Sequence, residues 1–305
     1  MTEKPTEKTK KISDKLTSDA SQSLSKTTKS ILSQHGITLN RNLGQNYLID
    51  KNKRDQIIGF GDIDKRDTVL EIGTGIGTLT IEIAKKAKKV IAIEQDENIC
   101  KILAKRLKDE KIDNVELIND DALKVDFPKF NKIISNLPYQ ISSPITFKFL
   151  NYDFDLAVLM YQKEFADRMN GEVGSKNYSR LSAMLYFRCN VEKLTDVSSE
   201  SFIPKPKIDS TVVKLTPKEN EITDEDFRTY SNFTKALFQH RNKKIRNALI
   251  DSRHIIGKID KKILKKRLNE IEDDRLNDYL SKRVVVLAPE EILYLSKELS
   301  PIFSE

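Results

Sequence analysis

The chain has 305 residues, 38% of them apolar, which is enough for one large domain and a smaller companion. Lys and Arg total 53 against 46 Asp and Glu; the net charge of +7 suits a polyanionic partner and equally a lysine-rich surface. The two cysteines, Cys100 and Cys189, form no CxxC or Cys/His cluster, so the sequence carries no zinc signal, and free cysteines fit a reducing cytosol. No apolar run reaches the roughly 18 residues a membrane helix needs, and the N-terminus lacks an apolar signal core.

Residues 1–30 are mostly Ser, Thr and Lys with a few apolar residues (Ile12, Leu16, Leu24), and they read as a disordered tail. A transit peptide fits less well, because Glu3, Glu7, Asp14 and Asp19 are present and Arg is absent. From Thr68 the pattern alternates: strands at Thr68–Ile72, Lys89–Glu94, Val115–Ile118, Lys132–Ser135 and Leu156–Met160, with helices at Thr78–Lys88 and Glu97–Leu107. Strands separated by helices predict βαβ units and a mostly parallel, doubly wound α/β sheet of Rossmann-like type. Val191–Val197 and Ser210–Leu215 are late strands, expected as an antiparallel hairpin at the sheet edge. The prolines of Phe202-Ile203-Pro204-Lys205-Pro206-Lys207 argue against a regular element between them. From Asp224 helical periodicity dominates, with breaks near Gly257 and Pro289. The expected organisation is a tail over 1–30, the sheet domain over 31–217 and a smaller helical domain over 218–305.

Val69-Leu70-Glu71-Ile72-Gly73-Thr74-Gly75-Ile76-Gly77 reads as a buried strand followed by a glycine turn, where backbone can approach a ligand closely. The spacing Gly73-x-Gly75-x-Gly77 departs from the GxGxxG of dinucleotide folds and is weak evidence alone. Glu94 closes the next strand, where a carboxylate can accept from both ribose hydroxyls. Asp121 follows the third strand and can accept from an adenine amino group.

Asn136-Leu137-Pro138-Tyr139 ends another apolar strand. An exocyclic adenine amine is a poor nucleophile, because its lone pair delocalises into the ring. The Asn136 side-chain oxygen and the Leu137 carbonyl can accept its two N–H groups and aim that lone pair, while Pro138 stiffens the turn. Tyr139 can stack on an extruded base, and oriented carbonyl dipoles stabilise the positive charge that develops. Phe202, in its proline-rigid loop, is a candidate for the other base face or an ordinary hydrophobic anchor. Together these features point to methyl transfer onto a nucleic-acid base.

The ordered series is more specific than any one motif. Leu43-Gly44-Gln45-Asn46-Tyr47-Leu48 precedes the glycine loop, Glu94, Asp121 and Asn136–Tyr139; Gln162-Lys163-Glu164 with Arg168, Tyr178-Ser179-Arg180-Leu181 and the Ser201–Ser210 stretch follow. This resembles the small-subunit (KsgA-type) branch of the rRNA adenine N6,N6-dimethyltransferase family, over roughly Thr38 to Leu299. Leu43 and Tyr47 stand where the family commonly has Phe.

The resemblance implies S-adenosylmethionine as methyl donor, and two adjacent adenines near the 3′ end of small-subunit rRNA as targets, each dimethylated. It implies Gln45, Asn46, Leu48, Gly73, Gly75, Glu94, Asp121 and Asn136 as donor contacts. Over residues 239–267 the basic residues, led by Arg241, Lys243, Lys244 and Arg246, far outnumber the acids, and fit phosphate contact with folded RNA. The expectation is a cytoplasmic, monomeric enzyme without metal or membrane attachment, acting on small-subunit rRNA or the immature small ribosomal subunit. A macrolide-resistance-type large-subunit methylase, a DNA adenine methylase and an assembly factor remain as alternatives.

Overall fold

The computed structural model describes residues 24–37, 46–219 and 222–303. Gln45 and residues 1–23 of the expected tail lie outside these. Residues 24–34 are helical (α1), so helix begins inside the segment expected to be disordered. Leu32 is buried against Tyr47, Ile76, Ile99 and Ile102. The apolar residues of α1 are too sparse to announce a helix, and the surface that covers them comes from elsewhere in the chain.

The chain divides into two compact units. The first holds the described residues up to Lys163 with Glu192–Thr216, and the second holds Glu164–Val191 with the chain from Pro217 onward. Residues 164–191, placed above in the sheet domain, cluster with the C-terminal helices.

In the first unit, β1 is Tyr47–Leu48, α2 Lys51–Phe60, β2 Thr68–Ile72, α3 Thr80–Lys86, β3 Lys89–Glu94, α4 Glu97–Asp109, β4 Val115–Asn119, β5 Lys132–Asn136, α5 Ser142–Phe149 and β6 Leu156–Gln162. The strands β7 (Cys189–Val197), β8 (Phe202–Ile203) and β9 (Ser210–Pro217) follow. Seven strands form one sheet in the order β4-β3-β2-β5-β6-β9-β7. The pairs from β4 through β6 are parallel and β9 runs antiparallel to β6. Strands covered on both faces need apolar residues throughout, which is why β2, β3, β5 and β6 read as nearly continuous Val, Ile and Leu.

The expected edge pair β7 and β9 is present, with β7 outermost. The proline-rich segment still supplies a strand: β8 pairs antiparallel with β1 as Tyr47↔Ile203 and Leu48↔Phe202. It precedes Pro204, where the residue before a proline is biased to extended backbone.

The order reverses direction between β2 and β5, and their ladder is short, pairing Val69 with Lys132 and Leu70 with Ile133. Beyond it the strands separate, and the Ser135 hydroxyl donates to the Ile72 carbonyl across the gap at 2.6 Å. A crevice at the carboxyl ends of the strands results, which is where open α/β sheets bind ligands.

The second unit contains α6 (Lys163–Met169), α7 (Arg180–Tyr186), α8 (Asp224–Phe238), α9 (Ile245–Asp251), α10 (Arg253–Ile256), α11 (Lys261–Asn269), α12 (Asp274–Ser281) and α13 (Pro289–Leu299). Pro289 sits in the first turn of α13, where its missing N–H costs nothing. Buried tyrosines tie the helices: Tyr230 donates to Ala183 O at 2.8 Å and Tyr178 to Leu287 O at 2.6 Å. Arg246 on α9 donates to Leu268 O (2.9 Å), Asn269 Oδ1 (2.6 Å) and Asn277 Oδ1 (3.0 Å), clamping the end of α11 and the middle of α12.

Arg246→Ala is expected to lose about 2–3 kcal/mol of stability, since it strands a buried carbonyl and two amide oxygens. Lys244→Ala, at an exposed site, should change stability by less than about 0.5 kcal/mol. Urea unfolding of the two variants beside the parent checks this; equal losses would mean that Arg246 is not a clamp.

Candidate active site

The crevice holds a cavity of about 350 Å³, within the range of small-molecule sites. Its lining includes Asn46, Leu48, Gly73, Gly75, Glu94, Asp121 and Asn136–Tyr139. The structure thus gathers residues drawn from the ends of β1, β2, β3, β4 and β5.

The glycine loop forms the floor. Gly73 has φ +71°, a conformation L side chains rarely adopt, and a Cβ there would lie 2.8 Å from Pro138 Cγ. Gly75, at φ +53°, lies under the Tyr47 ring. Its N–H donates to Glu94 Oε2 at 2.9 Å, and the Asp96 N–H donates to Glu94 Oε1 at 3.1 Å. Each Glu94 oxygen therefore keeps a lone pair. Burial pushes the Glu94 carboxyl above its ordinary value, and the backbone donors oppose that rise. Asp121 Oδ1 accepts from Leu123 N at 2.9 Å, which fixes its carboxylate at the rim.

Asn136 ends β5 and its Nδ2 donates to Asn46 O at 3.1 Å. With the amide nitrogen so held, Oδ1 points away as a free acceptor. Among the described residues the Leu137 carbonyl also accepts no hydrogen bond. Pro138, at φ −59° and ψ 125°, leads into a 3₁₀ turn over Tyr139–Ile141. The Tyr139 hydroxyl lies 2.7 Å from Ser210 Oγ on β9, so the ring is anchored at its far end. Burial raises the Tyr139 phenol above its ordinary value, keeping it neutral.

Phe202 is not brought to the cavity. It is 2% exposed and packs in the sheet core with Leu48, Val197 and Val212, so stacking on a base is corrected to the anchor reading. Its pairing with β1 sets that orientation. Two basic candidates are also corrected. The Arg246 guanidinium is engaged as described, and Arg241 donates to Lys176 O and Ser175 O, both at 3.0 Å. A guanidinium in a rigid fork of carbonyls holds backbone together and has few N–H groups left for a phosphate. Lys243 is exposed and pairs with Asp251 at 2.8 Å; Lys244 is exposed.

Sequence reasoning missed Glu71, Tyr47 and Ser210. Glu71 lines the cavity and is 1% exposed, and among the described residues its Oε2 has no hydrogen-bond partner, nor has the nearby buried Thr80 hydroxyl. Burial pushes its carboxyl up to about 8, helped by the charge on Glu94. The signal was available: an acid inside an otherwise apolar buried strand is rare without a role. Ser210 had no such signal, because its partner is distant in sequence.

A model of the ribosomal RNA adenine dimethylase family matches residues 36–285. The chain is 51% identical over 269 residues to a probable ribosomal RNA small subunit methyltransferase A of Methanosphaera stadtmanae, covering 88% of this chain and 96% of that protein. It is 46% identical over 278 residues to a protein of the same description from Methanothermobacter thermautotrophicus, covering 90% and 96%. Among solved structures, a dimethyladenosine transferase from Plasmodium falciparum matches with a TM-score of 0.69 at 34% identity, covering 84% of this chain and 98% of that one. The 23S rRNA methyltransferase ErmE matches with a TM-score of 0.59 at 25% identity, covering 83% and 99%.

The raised Glu71 carboxyl makes stability depend on pH. Below about pH 4.5 it is protonated folded and unfolded; from there to about 8 only the unfolded chain ionises, so stability falls as pH rises. Glu71→Gln should remove this slope, and the variant should gain on the parent by up to about 5 kcal/mol across that window. Urea unfolding at several pH values measures it; parallel pH profiles would show that Glu71 titrates normally.

Proposed function

The chain belongs to the ribosomal RNA adenine dimethylase family, and on that premise we propose that it dimethylates N6 of two adjacent adenines near the 3′ end of small-subunit rRNA, as a class I S-adenosylmethionine-dependent enzyme in ribosome biogenesis. The observation that carries the reading is the pair of open acceptors, Asn136 Oδ1 and the Leu137 carbonyl, at the wall of a cavity floored by the glycine loop.

The cavity residues fit S-adenosylmethionine. Backbone at Gly73 approaches where a side chain would collide. Glu94 keeps two lone pairs for ribose hydroxyls, and Asp121 retains acceptor capacity for the adenine amino group. Asn46, Leu48 and Gly75 complete the wall. When bound, the donor supplies an electrophilic methyl group on a sulfonium.

The chain's own residues prepare the other reactant. Asn136 Oδ1 and Leu137 O accept the amine N–H groups and draw the nitrogen lone pair out of the ring. The Asn46 carbonyl holds the Asn136 amide in the one orientation that presents oxygen to the base. Tyr139, held by Ser210, offers a ring face for stacking. As positive charge grows on N6, the two carbonyl dipoles stabilise it without reorganising.

Support for the small-subunit branch over the large-subunit one comes from the higher identity and TM-score of the dimethyladenosine transferase and from the descriptions of the two archaeal relatives. Among the described residues no helix is long and apolar enough to cross a membrane. A cytoplasmic monomer acting on rRNA in the immature small subunit is the accompanying proposal. Exposed lysines such as Lys243 and Lys244 make its phosphate contacts.

Labelled methyl transfer onto unmethylated small subunits, with nucleoside mass analysis, tests this. The parent should yield N6,N6-dimethyladenosine, and Asn136→Ala should lower the rate about 10²–10³-fold. Ser210→Ala should lower kcat about tenfold with donor affinity unchanged, since it frees the Tyr139 ring. No product from the parent, despite donor binding, would instead favour an assembly factor.

A further inference from the structure

The second unit contains a cavity of its own, about 460 Å³, beside the C-terminal half of α8 and the α9–α10 corner. Asn232, Lys235, Gln239 and His240 face it from α8 and its end, and Ser252 and His254 from the corner. Ile255 is the one apolar residue in its wall, so an apolar ligand gains little there. Among the described residues no group of three His, Cys, Asp or Glu could hold a metal.

The charge around the cleft is positive. Asp251 supplies a carboxylate, but Lys243 engages it at 2.8 Å and Lys261 at 3.6 Å, and the Lys243 contact holds it below the ordinary carboxylate range. Within the lining itself Lys235 is the one ammonium group, beside two imidazoles, while Lys243 and Lys261 offset Asp251 from outside the lining.

The cleft wall also offers an open hydroxyl. Ser252 is 1% exposed and lines the cavity, and its hydroxyl makes no hydrogen bond among the described residues. The hydroxyl is open to the cleft and can donate to or accept from a group placed there.

We propose that this cleft is a nucleotide-binding subsite for the RNA, taking one nucleotide of the strand away from the methylated adenines. The inference rests on the reading of the chain as an rRNA enzyme. Lys235 supplies charge for the phosphate, and the imidazoles of His240 and His254 supply ring N–H donors. The amides of Asn232 and Gln239 carry donors and acceptors for a base edge, and the imidazole rings offer stacking faces. A cavity of this size holds more than a phosphate, which separates a nucleotide from a simple anion site.

The test uses the full chain with S-adenosylhomocysteine filling the first cavity, and adenosine 5′-monophosphate as probe. Lys235→Ala/His254→Ala alters two exposed side chains, and a thermal melt matching the parent confirms that it folds. The expected result is that the nucleotide shifts the His240 and His254 imidazole NMR signals of the parent, with inorganic phosphate binding more weakly. In the double variant the remaining His240 shift disappears, and KM for small subunits rises about tenfold with kcat and donor affinity unchanged. Equal responses to phosphate and nucleotide, no response to either, or an unchanged KM in the double variant would each overturn the proposal. A parent enzyme that methylates normally while the variant keeps its KM sinks this subsite alone; a parent that methylates nothing sinks the enzymatic reading first.

Discussion

Everything in the first cavity hangs on the point where β2 and β5 stop pairing. Past Leu70 and Ile133 the two strands separate, and the Ser135 hydroxyl bonded to Ile72 O limits how far they do. The gap receives the glycine loop from one side and Asn136–Tyr139 from the other. Gly73 must be glycine because Pro138 occupies the space of a Cβ, so the floor of the cavity and the turn that carries the free acceptors touch each other. The Gly75 N–H bound to Glu94 then ties the loop to the next strand. Cofactor-side and base-side groups are consequently positioned by a single packed junction, and a shift in one is a shift in the other.

Around that junction lie several buried polar atoms that lack partners among the described residues. Among the described residues Glu71 Oε2, the Thr80 hydroxyl and the Tyr47 hydroxyl are buried without partners, and Glu71 and Tyr47 both line the cavity. Such atoms cost stability, and those that line the cavity can be partnered by something bound there. Glu71 shows the same tension in its proton: without a cation beside it, burial favours the neutral form.

The helical unit uses its positive charge in two ways. Arg241 and Arg246 are structural, because guanidinium groups suit clusters of carbonyl and amide oxygens and hold loops and helix ends together. Lysines remain exposed, and several pair weakly with acids at the surface. Counting basic residues therefore overstates the charge available to a polyanion; what matters is which cations have no internal work. The aromatic contacts that hold this unit, such as Phe187 edge-on to Tyr230, bring α7 and α8 together across a long stretch of intervening chain.

The sequence by itself determined the sheet strands to within a residue or two, their parallel arrangement, and the glycine loop, Glu94, Asp121 and Asn136–Tyr139 that come to line the first cavity. Those features are local: buried strands need runs of Val, Ile and Leu, a loop that touches a ligand needs glycine, and strand ends carry the acids and the Asn136 turn. Only the tertiary structure decided that 164–191 packs with the C-terminal helices, that α1 has a partner surface, that Phe202 belongs to the core, and that Arg241 and Arg246 are engaged internally. It also decided that Ser210 anchors Tyr139. Each depends on a contact between residues far apart in the chain, and the type of a residue states which bonds it is able to make, whereas the fold chooses the partner.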